Sequence, residues 1–173
     1  MKKKIISFSG PHGSGKTTAA LSLTSYLKKN NIHSGFVPSS SRNSLYLASK
    51  NLSEEMHLEV CYLQMTNEIQ ASMSYDAIVT DRSVFDFYIY GLIRHPNSID
   101  FLKMLKTICI QHSKLYKNIV FMKKIYVDSK IDVDQKEYSK NMHEFFRIEN
   151  IPNVVYPPHS ENDIASSLAQ DIN

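Results

Sequence analysis

The sequence predicts an α/β fold in which a five-stranded parallel sheet carries helices on both faces. Short apolar, β-prone segments alternate with helical patterns along the whole chain, and this alternation is typical of parallel sheets covered on both sides. A glycine-rich turn joins the first strand to the first helix, as a strand–helix unit requires. The length of 173 residues suits one domain, so we predict a single domain over residues 1–173.

The elements follow one another with short connections. Strands are predicted at residues 4–9, 34–38, 77–80, 118–122 and 153–156. Helices are predicted at residues 16–29, 54–74, 84–93, 100–116 and 136–149, with a last one opened by Ser160. The charged segment 123–136 is predicted to be turn-like and to form a lid.

Local patterns predict how three helices are capped and oriented. In helix 54–74, residues at steps of three and four are expected to share a face, with Gln64 near its edge: Leu58, Tyr62, Met65, Ile69 and Met73. Ser83 and Asp86 match a capping box, and Asp100 is expected to cap the next helix. One face of that helix carries Leu102, Leu105, Cys109 and His112.

The stretch from Gly10 to Thr18 reads GPHGSGKTT and matches the phosphate-binding pattern G-x-x-x-x-G-K-[ST] in full. Glycines allow the loop to curl so that its N–H groups surround a phosphate, and the next helix adds its positive end. We assign nucleotide binding to Gly10, Gly13, Ser14, Gly15, Lys16, Thr17 and Thr18. Lys16 is expected to reach the β- and γ-phosphates and Thr17 to bind Mg²⁺. His12 is expected to point away from the nucleotide.

A second motif ends the third strand. Residues 77–82 read as an apolar strand that ends in an acid, Asp81. This is the form of a Walker B segment, in which the acid orients Mg²⁺ or its waters. Arg82, Asp86 and Tyr90 follow at spacings of four, so they can line one helix face toward the cleft. The alternative is a local Arg82–Asp86 ion pair in which Asp86 is only a cap.

Composition and charge limit the class of protein. Hydrophobic residues make up 42% and charged residues 21% of the chain, an ordinary globular balance. The net charge of +3 suits anionic substrates but does not favour a nucleic-acid surface. No stretch has the apolar length of a membrane span, and we expect a soluble cytoplasmic protein in which Cys61 and Cys109 are buried free thiols.

With these motifs the chain resembles the small P-loop kinases of nucleosides and nucleotides, including the thymidylate kinase, deoxynucleoside kinase and nicotinamide riboside kinase groups. The resemblance implies the three-layer P-loop NTPase fold, with ATP and Mg²⁺ as cofactors. It also implies that Arg42 approaches the acceptor sugar or its phosphate and that Gln64 hydrogen-bonds a base edge, with Asp86 and Tyr90 in the same pocket. The alternatives are a surface cation for Arg42 and a solvated helix residue for Gln64.

Two departures from the family pattern concern the chemistry. Three serines follow Pro38, where many relatives carry the acid that serves as base. Asp81 is then the first candidate for a base and Asp86 the second, although phosphoryl transfer depends mainly on positioning and charge neutralisation. Residues 123–146 contain no arginine, whereas relatives place lid arginines after the fourth strand.

The sequence thus predicts an ATP- and Mg²⁺-dependent kinase for a hydroxyl or phosphate of a nucleoside, nucleotide or similar small acceptor. Its catalytic residues are expected to be Lys16, Asp81 and Arg82, with Thr17 and Asp81 at the metal. Two alternatives stay open: a kinase acting on a nucleic-acid hydroxyl, and a nucleotide-binding switch module with slow hydrolysis. No membrane partner is expected, and a homodimer is left open.

Overall fold

A five-stranded sheet in which every strand runs parallel to its neighbours forms the centre of the molecule. The structure is a computed structural model and describes residues 4–45, 52–123 and 133–156. The strands are β1 (Lys4–Ser9), β2 (Ser34–Val37), β3 (Ala77–Asp81), β4 (Tyr116–Phe121) and β5 (Val154–Val155). Their order across the sheet is β2-β3-β1-β4-β5, and the predicted fold class is confirmed.

Helices cover both faces of this sheet. They are α1 (Lys16–Lys29), α2 (Glu54–Ser74), α3 (Val84–Arg94), α4 (Ile99–Ser113) and α5 (Val133–Ile148), with a 3₁₀ helix at Ser40–Asn43. Adjacent strand residues point to opposite faces. Ile6 and Phe8 therefore pack with Leu23 of α1, whereas Ile5 packs into the core that the other helices build.

The strands end together at one edge of the sheet. Phe8 in β1 lies opposite Asp81 in β3, and Ser9 lies opposite Phe121 in β4. The loops that follow these strands therefore start side by side. Parallel α/β sheets bind their ligands at this edge, beyond the carboxyl ends of the strands.

Three predicted boundaries need correction. Ser98, not Asp100, is the residue before α4, and Asp100 lies in the first turn of that helix. Tyr116 belongs to β4 rather than to the end of a helix. Helix α5 begins at Val133, so the last part of the predicted turn-like segment is helical. Most of that segment, and the helix predicted from Ser160, lie outside the described residues.

The apolar residues predicted to share a face of α2 do not form its buried face, and Gln64 lies in the buried face rather than at the edge of the predicted one. Tyr62 is 68% exposed and Met73 is 77% exposed, while the helix buries a different face that includes Met56, Val60 and Gln64. The apolar residues do recur at helical spacing, but the buried face contains polar as well as apolar residues. Polar side chains can be buried where they have hydrogen-bond partners. Apolar periodicity alone therefore does not identify the buried side of this helix.

Cys61 and Cys109 are both buried and free, as predicted. Their sulfur atoms lie 3.8 Å apart between α2 and α4. Burial raises the pKa of the Cys109 thiol well above its usual value, which keeps it protonated. Within the described ranges, every helix is too short or too polar to cross a bilayer.

Candidate active site

The loop between β1 and α1 has the backbone of a phosphate cradle. Gly10, Gly13 and Gly15 all have positive φ, at 149°, 75° and 83°. A Cβ at Gly10 would collide with the carbonyl oxygen of Met122, so only glycine fits there. The loop ends at the N-terminus of α1, whose first turn carries Thr18 and unpaired N–H groups.

Lys16 is held inside this cradle. Its ammonium group donates to the carbonyl oxygen of Pro11 at 2.6 Å and to the hydroxyl of Ser14 at 3.3 Å. Burial lowers the pKa of Lys16 to about 8, nearby Arg82 lowers it as well, and Asp86 and Asp81 oppose the shift. A buried ammonium of this kind is stabilised by an anion, and phosphate oxygens in the cradle would supply that charge.

Thr17 and Asp81 present oxygen atoms beside the cradle. The Thr17 hydroxyl donates to Oδ2 of Asp81 at 2.5 Å, which joins the loop after β1 to the end of β3. Arg42 reaches the same pair, with Nη2 3.5 Å from Thr17 Oγ1 and 3.9 Å from Asp81 Oδ2. A hydroxyl and a carboxylate are ligands that Mg²⁺ prefers, so this donor set fits the predicted metal.

The loops that follow β1, β2 and β3 therefore converge. The segments Gly10–Thr18, Ser39–Arg42 and Asp81–Arg82 lie within hydrogen-bonding or ion-pair distance of one another. Met122 donates its N–H to Ser9 at 2.7 Å, which places the end of β4 there as well. Of the segment that follows β4, the described part stops at Lys123.

Arg82 has an unusual backbone. Its φ is 87°, a left-handed conformation that costs a residue with a Cβ about 1 kcal/mol or more. Its guanidinium carbon lies 5.6 Å from the centre of the Tyr90 ring, and Nη1 lies 3.2 Å from Oδ1 of Asp86. Burial is the largest influence and lowers the pKa of the Arg82 guanidinium, but Asp86, with Tyr90, Tyr138 and Asp81, outweighs it and the pKa is raised.

Asp86 is a buried junction rather than a ligand-facing group. Its carboxylate accepts hydrogen bonds from Ser9 Oγ at 2.8 Å, from the N–H of Ser83 at 2.9 Å and from Tyr138 OH at 2.7 Å. The capping box with Ser83 is confirmed, and the pair with Arg82 forms as the alternative reading held. Because the carboxylate is fully buried and saturated with donors, it does not contact an acceptor and is not available as a base, contrary to the predicted roles of Asp86.

Gln64 is buried as well and holds the loop after β2. Its Oε1 accepts from the N–H of Ser40 at 3.1 Å and from its hydroxyl at 3.0 Å, while Nε2 donates to Glu68 at 2.9 Å. Glu68 in turn lies 2.7 Å from Nε2 of His112. Gln64 is fully buried with protein partners at both of its polar atoms, so it does not face an acceptor, and its contacts instead position the 3₁₀ helix that carries Arg42.

A cavity of about 280 Å³ opens next to the cradle, at the lower end of the size range of small-molecule sites. His12 of the loop and Arg82 line it on one side. Apolar walls come from α2 and α3, with Met56, Val60 and Phe87. The remaining polar lining includes Tyr90, His57 and Arg94.

His57 is a buried neutral base in this lining. Its pKa falls to about 4, first because of burial and then because of Arg94 and His95, while the backbone of Phe87 opposes the shift. Only 1% of the residue is exposed, and Nε2 has no hydrogen-bond partner among the described residues. Such an unpaired buried nitrogen costs free energy unless a ligand satisfies it.

Sequence reasoning missed several residues of this site. Arg94 extends the series Arg82, Asp86, Tyr90 by another step of four, and that spacing was the signal that could have found it. His57 was missed because the apolar pattern pointed to the opposite face of α2. Tyr138 is far from its partner Asp86 in sequence and no local pattern marks the contact.

The sheet order, the cradle and the helices on both faces define the fold of the P-loop kinases. A thymidylate kinase from Ehrlichia chaffeensis superposes with a TM-score of 0.69 at 15% identity, over 100% of both chains. The NadR protein, solved in complex with NR, superposes with a TM-score of 0.78 at 11% identity, over 98% of this chain and 49% of NadR. This chain thus spans about half the length of NadR.

No protein-family model matches the sequence, and no curated protein matches it either. At 11% and 15% identity the two structural likenesses establish the fold and leave the chemistry to the site itself.

Proposed function

We propose that this protein is an ATP- and Mg²⁺-dependent kinase that phosphorylates a small nucleoside, nucleotide or similar acceptor. One observation carries the proposal: the loop residue His12 and the Asp81–Arg82 turn bring the phosphate cradle and a cavity of about 280 Å³ side by side. A phosphoryl donor and an acceptor bound in these two places would meet at Arg82. The kinase fold of both structural neighbours supports the same class of reaction.

In this proposal the chain acts mainly by positioning and charge. The loop N–H groups and the Lys16 ammonium bind the phosphates of ATP, and the nucleotide replaces the contacts that Lys16 makes to Pro11 and Ser14. Thr17 and, through water, Asp81 would hold Mg²⁺, which would supply positive charge that neutralises the phosphates. Arg82, fixed from behind by Asp86, stabilises the transferring group or the acceptor.

Asp81 remains the group best placed to receive the proton of an acceptor hydroxyl. It is 3% exposed and lies at the meeting point of Thr17 and Arg42. Arg42, which is 66% exposed through its side chain, is free to turn toward bound phosphate and to offset the missing lid arginines.

The cavity also bears on the alternatives. Its volume suits one small molecule, which supports a soluble acceptor over the end of a nucleic-acid strand. A switch module needs no second pocket beside its nucleotide, so the same cavity supports an acceptor site over slow hydrolysis alone.

The test is formation of ADP from ATP with a panel of nucleosides and nucleoside monophosphates. We expect at least one acceptor to raise the rate above the acceptor-free rate, and Lys16→Ala to abolish that increase while retaining the fold by circular dichroism. A panel that never exceeds the acceptor-free rate would count against the kinase and in favour of a switch module.

A further inference from the structure

The cavity beside the phosphate loop carries an unbalanced positive charge. Among its described lining residues are two arginines, Arg82 and Arg94, and no carboxylate. Asp86 pairs with Arg82 from behind and offsets its charge. Arg94 has no ion-pair partner in the described part of the chain, and its guanidinium carbon lies 5.4 Å from the centre of the Tyr90 ring.

Arg94 and Arg82 lie near opposite ends of α3, so the two residues are expected to have different roles. Arg82 lies two residues before the start of α3, beside the cradle, while Arg94 is the last residue of that helix. Both guanidinium groups nevertheless lie over the same Tyr90 ring, which places Arg94 in the cavity rather than away from it. Tyr90 also packs on Tyr138, with ring centres 4.8 Å apart, so the platform beneath both arginines is fixed.

A second observation marks this part of the cavity as a binding site. His57 lines it, is 1% exposed, and leaves Nε2 without a partner among the residues described. Arg94 is close enough to His57 to disfavour its protonated form, so the imidazole stays neutral and adds no positive charge. Arg94 is thus the one cation of the described lining that no acid balances.

We infer that the cavity takes an acceptor that carries an anionic group, a phosphate or a carboxylate, and that Arg94 binds this group. This inference rests on the proposed function, in which the cavity is the acceptor site, and it adds the chemical class of the acceptor. A guanidinium binds a phosphate and a carboxylate in the same way, through paired hydrogen bonds. A cationic acceptor, such as a riboside with a positively charged pyridine ring, is disfavoured by the same residues.

The test measures binding to the full chain by calorimetry, with a non-hydrolysable ATP analogue present. Two ligand pairs differ by one anionic group: thymidine against thymidine 5′-monophosphate, and uridine against orotidine, which adds a carboxylate to the base. We expect the anionic member to bind at least about tenfold more tightly in one pair or both, the size of one charged hydrogen-bonded contact. The pair that shows the preference identifies phosphate or carboxylate as the group.

Two variants separate Arg94 from general charge. Arg94→Gln should reduce the preference to less than about threefold, because one charged contact is lost. Arg147→Gln removes the same charge from an exposed position on α5 and should leave the preference intact. The inference is overturned if no anionic member binds more tightly than its neutral partner, or if Arg94→Gln keeps the full preference.

This test and the test of the kinase fail separately. Acceptor-stimulated ADP formation without any preference for anionic ligands removes the inference and keeps the kinase. An Arg94-dependent preference without phosphoryl transfer keeps the inference about the cavity and removes the kinase.

Discussion

The hydroxyl of Tyr138 donates to Oδ1 of Asp86 at 2.7 Å, and Arg82 contacts the same oxygen at 3.2 Å. Helix α5, the first element described after Lys123, is thereby linked through one buried carboxylate to the arginine that faces the cavity. The same carboxylate holds Ser9 at the start of the phosphate loop. Three parts of the site therefore share one anchor.

We expect Tyr138→Phe to weaken the acceptor site more than the nucleotide site. The hydroxyl is one of several donors to a buried carboxylate, so its loss should lower the free energy of unfolding by about 2 kcal/mol without unfolding the protein. Arg82 would be less firmly held, and the KM for the acceptor should rise several-fold while the KM for ATP stays within twofold or so. Urea unfolding and steady-state kinetics measure both effects.

Tyr62→Phe is the matched control, because that hydroxyl lies on the exposed side of α2. Tyr62→Phe should change neither the free energy of unfolding nor the KM for the acceptor. Equal acceptor KM values for Tyr138→Phe and wild type would show that Tyr138 supports only the fold.

A second prediction concerns the left-handed backbone of Arg82. Arg82→Ala and Arg82→Gly both remove the guanidinium, and both should lose most of the turnover. They should differ in stability, because at a φ of 87° alanine is strained and glycine is not. We expect the free energy of unfolding, measured in urea, to be higher for the glycine variant than for the alanine variant by roughly 0.5 to 1 kcal/mol. A more stable alanine variant would contradict the strained conformation.

A third prediction tests the proposed metal ligand. Thr17→Val keeps the shape of the side chain but removes the hydroxyl that contacts Asp81 at 2.5 Å. Turnover at saturating Mg²⁺ should fall by at least about tenfold, the scale expected for groups around a metal. Thr17→Ser restores the hydroxyl and should recover most of the activity. If the valine variant works as well as the serine variant, Thr17 is not a ligand.

The fourth prediction follows from the depressed pKa of His57. The folded pKa is about 4, against the ordinary value of 6.5, so between these values the unfolded chain takes up a proton that the folded chain does not. Stability contributed by His57 is therefore complete above pH 6.5 and is lost as the pH falls toward 4. Burial is the main cause, with Arg94 and His95 facing the ring.

His57→Gln removes this titration. Between pH 7 and pH 5, urea unfolding should show wild type losing about 1 to 2 kcal/mol more stability than the variant. Parallel losses in the two proteins would mean that His57 titrates normally in the fold.

The sequence was sufficient for most of the fold because its local signals agreed with the tertiary structure. The phosphate loop fixed the first strand and helix, and both match the observed bounds at Lys4–Ser9 and Lys16–Lys29. The capping box likewise predicted the start of α3. These features depend on residues that are close in the chain, where spacing carries the physical information.

The predictions that were wrong concern residues whose contacts are distant in sequence. Gln64 is buried because Ser40 and Glu68 satisfy its amide, and no pattern along α2 announces those partners. Asp86 receives donors from Ser9 and Tyr138, which are brought to it only by the packed sheet and α5. Polar burial of this kind is decided by tertiary partners, so residue type and period assign it poorly.

Binding of Mg²⁺–ATP measured by calorimetry tests the central claim most directly. The cradle of Gly10–Thr18 and the buried Lys16 ammonium are expected to bind the triphosphate, so Lys16→Ala should weaken binding by at least about tenfold. Lys28→Ala removes an exposed lysine from the same helix and should bind ATP like wild type. No detectable ATP binding by the wild-type protein, or equal affinities for Lys16→Ala and wild type, would contradict the account.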